Sequence, residues 1–477
     1  MGAIQQYDNF IDGKLTSSQD FIEVENPFTN QIIGLAAKGG ADEADQALRA
    51  AKAAQPAWAK LAPATRADFL KQFAQVIRDN RDELADLLMH EQAKVAPLAK
   101  LEIDVTATYF DYYAGWARIY GGEIINSDDP RENIFLFQKP IGVVVGICPW
   151  NFPFFVMARK VAPSLLVGCT TVIKPSSTTP LTTLRFAQLI SGLGLPDGVL
   201  NFVAGSGHEL GDALVAHPLS DMVSLTGSVE AGVEILQNAA SKVMKCSLEL
   251  GGKAPAIVFP DADIDLAVKS VMDSRLIFSG QVCNCAERAY VHADVYDEFV
   301  SKLKASFEAA KLDDPAADGA TYSSQVDKAQ LDKISGMVER AKAAGANVVT
   351  GGDVSDHGQG YFFEPTILDG VDQSSEIVQK EVFGPVLPII SWSDYDAVIA
   401  MANDCEYGLT SSIFTRDVNT VMQAQKDINF GETYVNREHF EGIQGFHAGW
   451  RKSGIGGADG KHGLLEYLQS QALYVRF

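Results

Sequence analysis

The chain has 477 residues, 47% of them apolar and 21% charged. At about 150 residues per domain, that length suggests roughly three domains or two large ones, with ample apolar material for a core. The 61 acidic and 39 basic residues give a net charge of -22, which repels phosphate backbones and excludes nucleic acid as a natural partner.

Six cysteines are too few for a disulfide scaffold. None stands in a metal-type C-x-x-C pair, so no metal is expected. Met1 to Phe10 lacks a basic stretch followed by an apolar core, so no signal peptide is expected. Ile141 to Ala158 is long and mostly apolar, but Pro149, Asn151 and Pro153 interrupt it. That makes it a poor spanning helix and a better strand, turn and helix start. A soluble cytoplasmic protein with no membrane partner is expected.

In chain order, Asp12-Gly13 signals a hairpin turn. Ala41 to Ala54 reads as a helix that ends before Pro56. Thr65 to Gln92 reads as one longer amphipathic helix, with Phe69, Phe73, Val76 and Ile77 at helical spacing. Leu98 to Tyr120 reads as another. The texture then changes. Glu123-Ile125 and Asn133-Phe137 flank the turn Asp128-Asp129-Pro130 and suggest a projecting hairpin.

From Val143 onward, strands and helices alternate. The strands are Val143-Ile147, Thr170-Lys174, Val199-Val203, Met222-Thr226 and Lys245-Leu250. The helices start near Phe154, then span Pro180-Leu193, His208-Ala216 and Ala231-Ala240. A second β/α series runs from Ala254 to about Asn436. It includes the strands Ala256-Phe259, Ala289-Val291, Asn347-Thr350 and Val386-Ile390, and the helices Leu266-Phe278, Val295-Ala310 and Leu331-Ala344. A glycine-rich segment follows, then a helix and a last strand, Ala472-Phe477. Apolar strands alternating with helices predict an α/β fold with parallel sheets covered on both faces.

Two glycine patterns follow strands: Gly205-Ser206-Gly207-x-x-x-Gly211 and Gly227-Ser228-x-x-x-Gly232. Each sets backbone N-H groups at a strand-to-helix junction, where a pyrophosphate can dock. Neither is G-x-G-x-x-G, so an ordinary β-α turn explains either one equally well. Gly454 to Lys461 has the look of a P-loop, but its spacing fails and His462 stands where Ser or Thr is required.

The segment Phe278-Ser279-Gly280-Gln281-Val282-Cys283-Asn284-Cys285-Ala286-Glu287-Arg288 carries two cysteines in polar surroundings, which suit a reactive thiol better than an inert core one. Glu249 stands alone among apolar residues at a strand end. It reads either as a capping or paired glutamate or as a partly buried general base with a raised pKa. Asn151 is polar inside an apolar run. It is a turn residue or an amide donor facing a developing oxyanion.

Taken together, these segments resemble the aldehyde dehydrogenase superfamily along almost the whole chain. The matching motifs are Pro149-Trp150-Asn151, Lys174-Pro175-Ser176, Leu225-Thr226-Gly227-Ser228, Glu249-Leu250-Gly251-Gly252-Lys253, Gly280-Gln281-x-Cys283, Glu381-x-Phe383-Gly384-Pro385 and Ser453-Gly454. Val282 to Arg288 and Gly445 to Gly454 are most similar to the bacterial lactaldehyde/glycolaldehyde branch.

The resemblance implies two Rossmann-type parallel-sheet domains and a β oligomerisation arm, interleaved along the chain. Residues 1-120 and 141-250 would form the NAD(P)-binding domain and 251-450 the catalytic domain. Residues 121-140 and 464-477 would form the arm of a homodimer or homotetramer. It also implies that Cys283 attacks the aldehyde, Asn151 holds the oxyanion, and Glu249 activates the water that hydrolyses the thioester. Cys285 then reads as a packing residue, with a redox role as the alternative.

Ile147, Pro149, Trp150, Lys174, Ser176, Ser177, Gly207, Gly211, Thr226, Gly227, Ser228, Leu250, Glu381 and Phe383 are the implied cofactor contacts. In the family, a glutamate three positions after the lysine accepts the adenosine ribose hydroxyls and favours NAD. Here Ser177 stands there, so the cofactor expected is NADP or NAD.

Arg159, Phe152, Glu441 and His447 are the implied substrate contacts, with His439 a weaker candidate. Arg159 and the C-terminal-loop residues replace aromatics of many relatives, which suits a short substrate with hydroxyl or carboxyl groups. Alternatively, Arg159 and Glu441 pair only with each other, to hold the loop. The function expected is NAD(P)-dependent oxidation of short hydroxyaldehydes. Succinate-semialdehyde or sugar-aldehyde oxidation is one alternative, and thiol-esterase chemistry another.

Overall fold

The computed structural model describes residues 4-477; Met1 to Ala3, part of the N-terminal stretch read above, lie outside the described residues. Five central strands form the parallel heart of an eight-stranded sheet. Their spatial order is Leu200-Phe202, Thr170-Lys174, Val143-Ile147, Met222-Thr226 and Lys245-Glu249. Chain order therefore reverses between Val143-Ile147 and Met222-Thr226, which makes a crevice at the carboxyl ends of those two strands. Valine and isoleucine fill these strands because helices bury both faces.

The edges of this sheet are antiparallel. On one side Asn9-Ile11 and Lys14-Thr16 form the Asp12-Gly13 hairpin. On the other, the short strand Gly454-Ile455 pairs with the end of Lys245-Glu249, setting Gly454 opposite Glu249. A second sheet of seven strands runs in the order Asn347-Thr350, Thr366-Asp369, Val386-Trp392, Arg288-His292, Pro255-Val258, Thr410-Phe414 and Glu432-Val435. All its pairings are parallel except that of its first strand. The fold is thus α/β with two Rossmann-type sheets, as the sequence pattern implies.

A third sheet joins Glu123-Asn126, Glu132-Pro140 and Leu468-Arg476 antiparallel. Most of Leu468-Arg476 is exposed, including Leu473, Tyr474 and Val475. A small N-terminal sheet of Gln5-Tyr7, Gln31-Ala37 and Phe21-Asn26 carries no clear sequence signal.

Several elements differ from their sequence-based limits. The first helix is Ala41-Lys60 and runs through Pro56. Its last turn is anchored by Trp58, which is buried and donates its indole N-H to the Leu165 carbonyl. Thr65 to Gln92 is two helices, Pro63-Asp79 and Arg81-Gln92. Asn80 breaks them because its side-chain amide donates to the Val76 carbonyl and closes the first helix.

The helix expected to reach Phe278 stops at Leu276. Phe278, Ser279 and Gly280 then turn with positive φ, at 44°, 54° and 78°. A Cβ on Gly280 would meet the Gly384 carbonyl at 2.2 Å, so glycine is required there. This strained turn delivers Cys283 seven residues beyond the helix end.

Candidate active site

A cavity of about 510 Å³ opens at the carboxyl ends of the first sheet and reaches the second domain. Cys283, Glu249 and Asn151 all line it. So do Ile147, Pro149, Trp150, Lys174, Ser176, Ser177, Gly207, Thr226, Gly227, Ser228, Leu250, Glu381 and Phe383, and also Phe152, Arg159, Glu441 and His447. Gly211 does not line it. A Cβ there would touch the Lys174 stem at 3.7 Å, so Gly211 lies behind the lysine.

The thiol of Cys283 is half-buried and faces the cavity, whereas Cys285 is buried. The Cys285 thiol donates to the Val282 carbonyl at 2.8 Å, and burial pushes its pKa up to about 12. Cys285 is therefore the poorer nucleophile of the two. A Cβ on Gly252 would lie 2.6 Å from the Cys283 carbonyl oxygen, so the Glu249-Leu250-Gly251-Gly252 segment packs directly on the Cys283 backbone.

Asn151 is fixed from below. Its side-chain amide donates to the Gln281 carbonyl at 2.9 Å, and its own carbonyl accepts from Lys94 at 2.6 Å and Gln92 at 3.0 Å. Lys94 is fully buried and pairs with Glu102 at 2.5 Å. Its ammonium lies over the Phe152 ring at 3.8 Å. The other oxygen of Glu102 accepts from the first free N-H groups of helix Pro153-Val167, at Phe154 and Phe155. One buried ion pair therefore holds the Asn151 loop and the start of its helix together. Sequence reading missed Lys94 and Glu102, whose lysine-to-carbonyl contact spans 57 residues.

Glu249 is buried, and its Oε2 has no hydrogen-bond partner. Arg159 lies 3.6 Å from that oxygen and His447 Nε2 lies 4.0 Å from it. The strand end is clamped by Gly454, by the Leu250 N-H bond to the Ser453 carbonyl, and by the Ser453 hydroxyl bond to the Gly251 carbonyl.

Arg159 is held more completely than its sequence context suggests. It makes a two-point pair with Asp459, at 3.1 and 2.6 Å, and a further bond to Glu441 at 2.5 Å. The second oxygen of Glu441 accepts from Asn284 at 2.7 Å. Burial raises Asp459 to about 6 despite the guanidinium. Desolvation opposes the charge of Arg159, yet Asp459, Glu441 and Glu249 hold its pKa well above the ordinary value. Asp459 was not singled out in the sequence, because nothing local marks it 300 residues from its partner. His439 lies outside this cavity. It faces a second one, of about 400 Å³, beside Glu438 and Asp273.

The cofactor side fits a dinucleotide. Lys174 is buried and its ammonium has one carbonyl partner, Pro175, at 3.3 Å, so it retains donors for ribose hydroxyls. Burial lowers Lys174 to about 8. Ser228 caps the 12-residue helix Val229-Ala240 through the Ala231 N-H, and the free N-H groups of that helix face the crevice. Lys160, also missed, supports the adjoining strand by donating to Ser224 and Thr226. Glu381 accepts from the Gly252 N-H at 2.8 Å. Burial and the nearby Glu287 charge raise it to about 7.

The base of the site is organised by Glu287. Its carboxylate, fully buried, accepts from Lys253 at 2.8 Å, from Arg275 at 2.7 Å, and from the N-H groups of Val382 and Phe383 at 3.1 Å. Arg275 also binds the carbonyls of Gly280 and Ala286, on either side of Cys283.

The sequence pattern of the aldehyde dehydrogenase family matches residues 15-473. Lactaldehyde dehydrogenase of Escherichia coli (strain K12) is 49% identical over 99% of each chain. Its solved structure superposes with a TM-score of 0.98 over 99% of this chain and 100% of that one, at 48% identity. A 3,6-anhydro-alpha-L-galactose dehydrogenase of Vibrio sp. (strain EJY3) is 41% identical over 99% of this chain and 100% of its own. A D-glyceraldehyde dehydrogenase (NADP(+)) of Thermoplasma acidophilum is 39% identical over 98% of this chain and 96% of its own. The chain belongs to the aldehyde dehydrogenase family and is an oxidoreductase that acts on aldehydes with NAD or NADP.

Proposed function

We propose that this enzyme oxidises short, uncharged hydroxyaldehydes, of the lactaldehyde and glycolaldehyde type, to carboxylic acids. The observation that carries this reading is the charge balance of the substrate end. Glu249, Glu432, Glu441 and Asp459 gather around two cationic side chains, Arg159 and His447. Arg159 is already paired with three carboxylates, so its charge is largely spent before a carboxylate on the substrate arrives. That weighs against succinate semialdehyde and similar substrates, since a second anion would be desolvated without a partner. Carboxylate and imidazole groups instead offer hydrogen bonds to hydroxyls. Phe152, Phe155 and Phe440 bound the remaining space and favour a short chain. The named substrates of the three relatives, lactaldehyde, an anhydrogalactose and glyceraldehyde, are all hydroxylated.

In the reaction, the Cys283 sulfur adds to the aldehyde carbon and the carbonyl electron pair moves to oxygen. The Asn151 amide, with the Cys283 backbone N-H, is the proposed donor set for that oxyanion. The nicotinamide, when bound, supplies the hydride acceptor that converts the adduct to a thioester. Glu249 then takes a proton from water, the water oxygen attacks the thioester carbon, and the C-S bond breaks with its pair on sulfur. Esterase chemistry on the same thiol is the second reading; it needs Cys283 and Glu249 alone.

Ser177 lines the cavity where a glutamate would repel a 2′-phosphate, so the reading includes NADP as an accepted cofactor. The exposed apolar residues Ile124, Phe137, Leu473 and Tyr474 on the three-stranded sheet are the proposed contact of a dimer or tetramer.

Four outcomes are expected. Glu249→Gln should release about one equivalent of NAD(P)H in a burst, then turn over more slowly by roughly 10²-10⁴-fold, the usual worth of a general base; unimpaired turnover would remove Glu249 from the mechanism. In a kcat/KM panel, glycolaldehyde and lactaldehyde should exceed succinate semialdehyde and benzaldehyde by at least about tenfold, and the reverse order would sink the neutral-substrate reading. Ser177→Glu should weaken NADP binding far more than NAD binding, and an unchanged preference would refute the role given to Ser177. Deletion of 468-477 should lower the mass found by sedimentation; an unchanged mass would place the subunit contact elsewhere.

A further inference from the structure

The Asn151 side chain has its orientation decided by its partners. Its Oδ1 accepts from the Phe152 N-H at 3.0 Å, and its Nδ2 donates to the Gln281 carbonyl at 2.9 Å. A main-chain N-H can only donate and a carbonyl can only accept, so the amide cannot be turned the other way round. Nδ2 carries two hydrogens. Gln281 takes one, and the second is left for the cavity that Asn151 lines. Gln281 lies two residues before Cys283, so the same bond ties the amide to the Cys283 loop.

The Asn151 main chain is held just as closely. Its carbonyl oxygen has two lone pairs, and Lys94 at 2.6 Å and Gln92 at 3.0 Å take both. Both donors stand at one turn. Helix Arg81-Gln92 ends at Gln92, and Ala93 follows in the left-handed conformation, with φ at 52°. Alanine is disfavoured there relative to glycine. That strained residue leads the chain into Lys94, which is fully buried. The Lys94 ammonium has three hydrogens. One goes to Asn151 and one to Glu102, whose other oxygen accepts from the Phe154 and Phe155 N-H groups. The ring faces of Phe152 and Phe278, with centroids 3.8 and 4.6 Å away, complete its surroundings. Lys94 is not among the residues that line the cavity. It does not touch a bound aldehyde and can act only through the groups it holds.

We infer that Lys94 is a positioning residue for the oxyanion: its grip on the Asn151 carbonyl fixes where the remaining Asn151 N-H stands. The inference rests on the roles proposed above for Cys283 and Asn151. As the Cys283 sulfur bonds to the aldehyde carbon, the π pair of the C=O bond moves onto oxygen, and that charge needs a donor already in place. A displacement of about 1 Å in such a group can cost about 10²-fold in rate. Lys94 gives no proton to the adduct and forms no bond to it.

The test compares reactions of one thiol that do and do not build an oxyanion. Attack on glycolaldehyde or on p-nitrophenyl acetate builds one. Alkylation by iodoacetamide displaces iodide at a saturated carbon and builds none. In Lys94→Met, kcat/KM for glycolaldehyde and the esterase rate should fall together, by roughly 10- to 100-fold. Cys283 alkylation, mapped by mass spectrometry, should stay within about twofold of the parent rate. Asn151→Ala should lower the first two rates at least as far, and adding Lys94→Met to it should cost nothing more, because the amide that Lys94 places is gone. The pair Lys94→Met and Glu102→Gln removes both buried charges and carries the same test if Lys94→Met alone does not fold. Parallel loss of all three reactions, an undiminished kcat/KM, or an equal further loss in the Asn151→Ala background would overturn the inference. Full kcat/KM in Asn151→Ala, or turnover surviving in Cys283→Ser, would instead overturn the roles on which it rests, so the two failures are distinguishable.

Discussion

The site depends on one buried carboxylate being fully satisfied. Glu287 has no access to water, so its charge is tolerable only because two cations and two backbone N-H groups surround it. Those four donors come from separate parts of the chain. Lys253 follows the strand that ends at Glu249, Arg275 lies in the last turn of the helix before Cys283, and Val382 and Phe383 follow Glu381. Satisfying one charge therefore fixes three functional segments relative to one another. Breaking such a cluster by removing one member typically costs about 3-5 kcal/mol, because the rest are left buried and unpaired. Arg275 extends the same constraint by gripping the carbonyls on either side of Cys283.

A second buried pair does the same for the Asn151 loop. Lys94 and Glu102 grip the Asn151 carbonyl and the first turn of the following helix. A third cluster, Arg159 with Asp459 and Glu441, fixes the substrate wall. These buried charges thus occur in paired clusters. Among the buried side chains cations are at least as numerous as acids, and the acidic excess lies on the solvated surface.

The sequence made much of this legible, and the reason differs by level. Val143-Ile147, Thr170-Lys174 and Met222-Thr226 were readable because strands buried on both faces must be continuously apolar. Cys283, Glu249, Asn151 and the cofactor residues stood out because each is embedded in a short motif. Gly211 showed the limit of that reading: the pattern was there, but the residue packs behind Lys174. Helix ends were misjudged where a distant contact decided them, as with Trp58 and Leu165. Asp459, Lys94 and Glu432 were missed because their meaning lies in partners that only folding brings near.

The pairing of Arg159 with Asp459 also bears on how the molecule comes into being. Tyr109 and Tyr113 donate to Asp459 and to the Gly460 carbonyl, across about 350 residues of chain. The strand that clamps Glu249 likewise comes from Gly454-Ile455. Asn151, Glu249 and Cys283 all precede these pieces of chain in sequence order. Contacts of such long range close slowly in folding, so the cavity lining is brought into register late. The alignment of the cavity therefore hangs on contacts of very long range in sequence.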